Sequence, residues 1–342
     1  MQSVSVRDPV VGNERGRSSD SMLFVTLMFV IGALVAVVLS LRGTTPDLRV
    51  GVNPWPGYAF LFVAEEKGYF ADEHLQVRLV ELSSLGDVRR AFELQQINMM
   101  TCTYVELLMV GQAHGTPPRI VLCADYSLGA DVLISNSSIR SVEELRGRRI
   151  AFEPGTLDAI VICYALQSHG MTTSDVKLVA MASSQMAHAL RDGHIDAVQC
   201  YPPLSTEILS DPGSRVLFDS SQIPGKVCDV IVAHSDLGRD HPAALEAFSR
   251  AYFRAVEYYR QQPDEALEII ARRTGMTAAQ VQDSLDCIRI LDARDQCQLL
   301  GNPEQLETTL AETERHMRAV GLWRGEHAAK ATESKAPQPV GN

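Results

Sequence analysis

Closely spaced cysteines are missing from this chain. Its seven cysteines, at 102, 123, 163, 200, 228, 287 and 297, are all separated by at least nine residues, which excludes a C-x-x-C metal or redox motif. Most read as small buried apolar side chains, and the odd count leaves at least one thiol unpaired in a monomer. No cysteine precedes Cys102, so none is placed to carry a lipid near the N-terminus. The nine histidines include no H-E-x-x-H or H-x-x-x-H, G-x-S-x-G is absent, and no phosphate loop is followed by lysine. No catalytic residue, metal centre or cofactor is expected, and His74, His114, His169, His188, His194 and His234 read as surface or satisfied core residues. A basic stripe is lacking too. With 31 Lys+Arg against 42 Asp+Glu the net charge is −11, and only Arg146, Arg148 and Arg149 cluster, which argues against nucleic acid.

What is present begins with one long apolar run. Met22 to Leu41 is twenty residues without a charge, enough at about 1.5 Å per residue to cross roughly 30 Å of hydrocarbon. It is longer than a secretory apolar segment and ends without an A-x-A site, so it reads as an uncleaved transmembrane anchor. Arg7, Arg15 and Arg17 before it, against Arg42 and Arg49 after it, favour an inside N-terminus and an extracytoplasmic body. The expected organisation is a polar segment at 1–21, the anchor at 22–41, a linker at 42–47, and a two-lobed body ending in a disordered tail at 325–342.

Within the body, short strands alternate with helices, the mark of a parallel-rich α/β sheet. Leu48 to Asn53, Gln76 to Leu82, Met99 to Thr103 and Ile120 to Ala124 read as strands, with helices from Tyr58, Ser84 and Val105 between them. A second α/β set follows Ser141, where Ser141 and Glu144 resemble a capping box, and continues through strands Arg149 to Phe152, Val176 to Val179, Ala197 to Cys200 and Arg215 to Phe218. An internal echo links the sets: Phe92-x-x-Gln95-x-Ile97-Asn98 and Leu190-x-x-Gly193-x-Ile195-Asp196 make Thr103 and Tyr201 equivalent strand exits. Ligands of α/β sheets bind outside such carboxyl ends, so two lobes facing each other enclose a cleft. The apolar strand Val227 to Ala233 is expected to return to the first sheet, with helices started by Pro242, Pro263, Thr277 and Asn302 covering it. Lobe I is then 48–130 and 225–324, and lobe II is 131–224.

Candidate site residues sit at those exits. Trp55 and Tyr58 flank Gly57 in the first strand-to-helix turn, where an aromatic stacks on a planar or cationic solute or, equally, plugs the loop. Thr101 and Thr103 lie at one strand exit, Ser127 follows another, Tyr201 precedes two prolines, and Asp229 lies on the return crossover as either a hinge hydrogen-bonder or a ligand contact. Gly155, Thr156 and Asp158 open a helix whose free N–H groups suit an anion, which Asp158 opposes if it points inward. With Asp125 and Asp229 it suits an amine-bearing or neutral ligand, although an aspartate in a first turn also favours the helix alone.

VGVNPWPGYAFLFVAEEKGYF (Val50 to Phe70), RIAFEPGT (Arg149 to Thr156) and GHIDAV at Gly193 resemble bacterial substrate-binding proteins of the nitrate, sulfonate and taurine type. The wider family includes binding proteins for thiamine-pyrimidine precursors. The resemblance covers nearly all of Leu48 to Trp323. It implies a two-lobed clamshell of the type II periplasmic-binding-protein kind, a monomer that passes a small solute to an ABC permease and its ATPase. With the anchor, that places the protein on the outer face of the cytoplasmic membrane. Two alternatives are a pyrimidine-precursor synthase, whose cysteine-rich segment has no match here, and a receptor signalling through a partner protein.

Overall fold

The structure is a computed structural model that describes residues 46–322, together with Met28. Met28 apart, the expected N-terminal segment and anchor lie outside the described residues, as do 42–45 of the linker and the whole 325–342 tail. Among the described residues no helix is long and apolar enough to cross a membrane.

Alternation sets the first strand, β1 (Asp47–Val52), with Leu48, Val50 and Val52 buried. β2 (Gln76–Glu81) and β3 (Met99–Thr103) lie parallel to it on either side. β4 (Arg119–Ser127) runs three residues beyond the expected Ala124. β5 (Val132–Ser135), β6 (Arg149–Phe152), β7 (Lys177–Ala180), β8 (Ala197–Cys200) and β9 (Arg215–Asp219) follow. β10 (Cys228–Ala233) then inserts antiparallel between β3 and β4, and β11 (Ile288–Ile290) pairs with the outer edge of β4. Two sheets result, ordered β11-β4-β10-β3-β1-β2 and β7-β6-β8-β5-β9. We call their halves of the molecule lobe I and lobe II.

The helices that carry the site are α1 (Phe60–Glu66), α2 (Leu85–Glu93), α3 (Tyr104–His114) and α4 (Asp158–Gln167), each following a strand, with α5 (Pro242–Gln261) and α6 (Pro303–Ala319) added after β10. α5 buries Leu245, Phe248, Tyr252 and Ala255 against lobe I, each large side chain contributing about 1.5–3 kcal/mol. Its Tyr252 hydroxyl donates to the Gly57 carbonyl at 2.7 Å, fixing the first strand-to-helix turn from behind.

The chain crosses between lobes from β4 to β5 and again from β9 to β10, and the two crossovers are pinned to each other. Ser127 Oγ and Ser220 Oγ lie 2.6 Å apart, the Asp131 N–H donates to Ser127 Oγ, and the Ser220 N–H donates to the Asp131 carbonyl.

Three readings need correction. The Ser141 and Glu144 capping box does not form: a 3-10 turn spans Glu143–Leu145, and Glu144 accepts instead from the Arg140 N–H, because the chain turns before a full helical turn is completed. β5 and β11 are too short to show alternation in the sequence. α6, expected to cover the first lobe, packs on both α3 and α4, with Tyr164 OH 3.2 Å from His316 Nδ1.

Candidate functional site

The lobe I wall grows from the Pro54–Gly57 turn. Trp55 Nε1 donates to both oxygens of Asp125, at 3.2 and 3.1 Å. A Cβ on Gly57 would fall 1.7 Å from Asp125 Oδ2, so only glycine admits the carboxylate beneath this turn. Asp229 faces Asp125 across β10 and β4, and faces Thr103 across β3. Tyr58 OH lies 2.7 Å from Asp229 Oδ1 and 2.8 Å from the Cys102 carbonyl. A phenol has one proton to give; with Asp229 protonated on Oδ1, its carboxyl donates to Tyr58 and Tyr58 donates to Cys102, which accommodates both contacts of the phenol.

The opposite wall is less complete. Asp158, in the first turn of α4, accepts the Glu153 N–H on Oδ2 at 2.8 Å, while Oδ1 has no partner. Asp131, at the first crossover, and Gln199 on β8 have no side-chain hydrogen bond of good geometry, although the side chains of Ser127 and Gln199 lie close enough to Asp131 to favour its ionised form. All three side chains are buried, Asp131 and Gln199 fully. Asp229 Oδ2 on the lobe I side is likewise without a partner. Buried polar groups are normally paired, so this concentration of open ones at facing sheet edges is unusual.

Direct bonds join the walls. Glu106 caps α3 through the Thr103 N–H at 2.9 Å and reaches across to the Leu157 N–H of lobe II at 2.8 Å. Ser84, the N-cap of α2, donates to Glu153 Oε1 at 2.6 Å, and the Leu85 N–H donates to Tyr201 OH at 3.3 Å. Trp55 and Tyr201 meet edge to face with ring centres 5.7 Å apart. Between the lobes lies a cavity of about 330 Å³, bounded by Pro54 and Ser84 on one side and Asp158, Gln199, Tyr201 and Leu204 on the other. Two other hollows, of about 420 and 670 Å³, lie beside Asn136 and beside His114, and neither touches Asp131, Asp158 or Gln199.

Burial sets the electrostatics. It lifts Asp125 to about 8 in spite of the Trp55 N–H, and Asp131 to about 7. Asp158 and Asp229 are pushed well above the usual carboxylate range, first by burial and then by neighbouring carboxylates, and burial raises Glu106 as well. Burial therefore shifts the whole cluster toward its protonated forms. Among the described residues no group of three or more His, Cys, Asp or Glu side chains is arranged to hold a metal ion.

Of the residues singled out in the sequence, Trp55, Tyr58, Asp158, Tyr201 and Asp229 meet at this interface. Thr101 instead turns inward, its Oγ1 3.2 Å from the Gly51 carbonyl and 2.9 Å from Asn53 Oδ1. Thr103 is the N-cap of α3, Ser127 ties the crossovers, and Thr156 donates to the Glu153 carbonyl. Gly155 has φ 78°, and a Cβ there would meet Arg89 at 2.9 Å. Sequence reasoning missed Glu106, Asp131, Glu153 and Gln199. The signal was a charged or amide residue inside an apolar run, as in Tyr104-Val-Glu-Leu-Leu and Ala197-Val-Gln-Cys.

The chain matches the NMT1/THI5-like family model over residues 55–266. It is 22% identical over 214 residues to a protein of Escherichia coli (strain K12) provisionally named as an aliphatic sulfonates-binding protein, covering 63% of this chain and 62% of that one. It is 25% identical over 183 residues to the taurine-binding periplasmic protein of the same organism, covering 51% of this chain and 57% of that one. Both matches span less than two thirds of the relative's length. The crystal structure of the E. coli periplasmic aliphatic sulphonate binding protein SsuA superposes with a TM-score of 0.67 at 18% identity, covering 87% of this chain and 95% of that one. That likeness establishes the α/β two-lobed fold.

Proposed function

The chain belongs to the NMT1/THI5-like family, and from that premise we propose that it is the solute-binding component of an ABC importer. Lobe I (48–130 and 225–324) and lobe II (131–224) close by rotation at the two crossovers over a small polar organic or oxyanion solute. The closed form presents it to a permease and ATPase. The observation that carries this reading is the cavity between the lobes, walled by residues of both, where Asp158 and Gln199 of lobe II present buried polar atoms without partners. The relatives named above are solute-binding proteins, which favours capture over catalysis. The apolar run at 22–41 supports tethering a monomer to the outer face of the cytoplasmic membrane, which raises its concentration near the permease.

The test is thermal unfolding of the full chain in mild detergent against nitrate, sulfonates, taurine, bicarbonate, aminopyrimidines and polyamines. A ligand at about 100 times its Kd stabilises by about 2.7 kcal/mol, several degrees of Tm. A selective shift is expected; silence from a folded, ligand-free sample rejects the reading.

A further inference from the structure

Resting on the solute-receptor reading, we propose that the bound solute is an organic cation carrying N–H donors, a protonated amine or amidine with a short apolar body, rather than an oxyanion. Two independent observations carry this.

The first is that the helix N-termini at the interface are already occupied. A free helix N-terminus is the usual seat for an oxyanion. At α2, Glu153 accepts from the N-cap Ser84, and the Leu85 N–H is given to Tyr201. At α3, Glu106 accepts from the N-cap Thr103 and donates nothing. At α4, the same Glu106 takes the Leu157 N–H while Asp158 sits in the first turn. Protein carboxylates thus stand where a sulfonate would be held. The nearby arginines are paired as well: Arg90, on the cavity wall, with Asp87 at 2.6 Å, and Arg89, behind Gly155, with Glu93. Arg89 Nε has no partner, but Arg89 is not among the residues lining the cavity.

The second is the character of the open groups. Of the residues lining the cavity, Asp158 Oδ1 and Gln199 Oε1 are buried acceptors without donors, against one open amide donor, Gln199 Nε2, while the open oxygens of Asp131 and Asp229 are buried outside that lining. A solute rich in N–H groups satisfies them; an oxyanion adds acceptors to a place that has too many. The cavity wall beside Asp158 also offers Pro54, Met186 and Leu204 to an apolar body. A cation beside Asp158 favours its ionised form, which a sulfonate opposes.

The full chain is titrated calorimetrically with putrescine, agmatine and an aminomethyl-aminopyrimidine as cation probes, and with nitrate, ethanesulfonate and taurine as anion and zwitterion probes. At least one cation probe is expected to bind, and Asp158→Asn, whose amide oxygen still accepts the Glu153 N–H, to weaken it about tenfold or more while the variant stays folded. Gln199→Leu, which removes the other open group of the cavity lining, is the second variant should Asp158→Asn misfold. Binding of nitrate or ethanesulfonate without any cation probe overturns the charge assignment and leaves the receptor reading standing. Cation binding indifferent to both variants overturns the assignment to these groups. Silence from all six probes overturns both readings.

Discussion

On the lobe I side of the interface Trp55 and Tyr58 bond to Asp125 and Asp229, whereas Asp158 and Gln199 on the lobe II side, with Asp131 at the crossover, keep open oxygens and an open amide. One wall is hydrogen-bonded largely within the protein, and the other leaves buried polar atoms open to a partner. A preassembled wall contributes to folding and orients the solute. An unfinished wall costs stability until the solute arrives, so its residues trade folded-state stability for affinity. Changes to the first should therefore act on stability and changes to the second on binding.

The largest effect is expected at Trp55. Its side chain is only 5% exposed, so Trp55→Ala should cost about 3–5 kcal/mol and lower Tm strongly. On the other wall, Asp158→Asn should leave Tm unchanged or raised while weakening a bound cation by about 2–5 kcal/mol in calorimetry, the reverse pattern. Gly57→Ala, which drives a methyl into Asp125, should cost about 1–3 kcal/mol by denaturant unfolding.

The pH dependence separates the two roles further. Asp125 and Asp131 keep protons in the fold up to about 8 and about 7, whereas an unfolded aspartate releases them near about 4. Their contribution to the stability of the unliganded protein is complete below about pH 4 and is lost as pH rises through 7 and 8. Facing them are Glu106, Asp158, Asp229, Tyr58, Tyr252 and Cys102, all of which raise or share the effect, with Arg89 opposing it at Glu106. Cation affinity should rise over the same interval, so Tm with and without ligand should diverge between pH 6 and about 9. The smallest change is expected for Thr101→Val: it removes hydroxyl contacts internal to lobe I, costs about 1 kcal/mol and leaves Kd unmoved.

Much of the fold was legible because alternation and capping are local signals. Ser84, Thr277 and Asn302 each cap the helix they begin, and Gly68, Gly147 and Gly170 take positive φ. β5 and β11 were not legible, being four and three residues long and defined by partners far along the chain. Strand-exit position and the helix-opening turn pointed to Trp55, Tyr58, Asp158, Tyr201 and Asp229, which the structure brings to one interface. Thr101 and Ser127 instead bond within the protein, since a hydroxyl at a strand end serves a neighbouring group as readily as a ligand. Glu106 and Gln199 lay inside apolar runs, where only tertiary contact reveals which polar residue has a partner.

The final helix changes how quickly such a receptor can fill. Two crossovers alone leave the lobes a nearly free swing about one axis. α6, packed on α3 of one lobe and α4 of the other, is a third tie away from that axis, reinforced by Lys226 on Glu312. Each tie is worth little singly, but opening strains them together, so the resting population leans toward the shut form. Under the proposed solute-receptor reading, a solute waits for a rare open moment and the same bias slows its escape, so capture is slow and retentive, the kinetics of a scavenger working at low solute concentration and not of a fast shuttle.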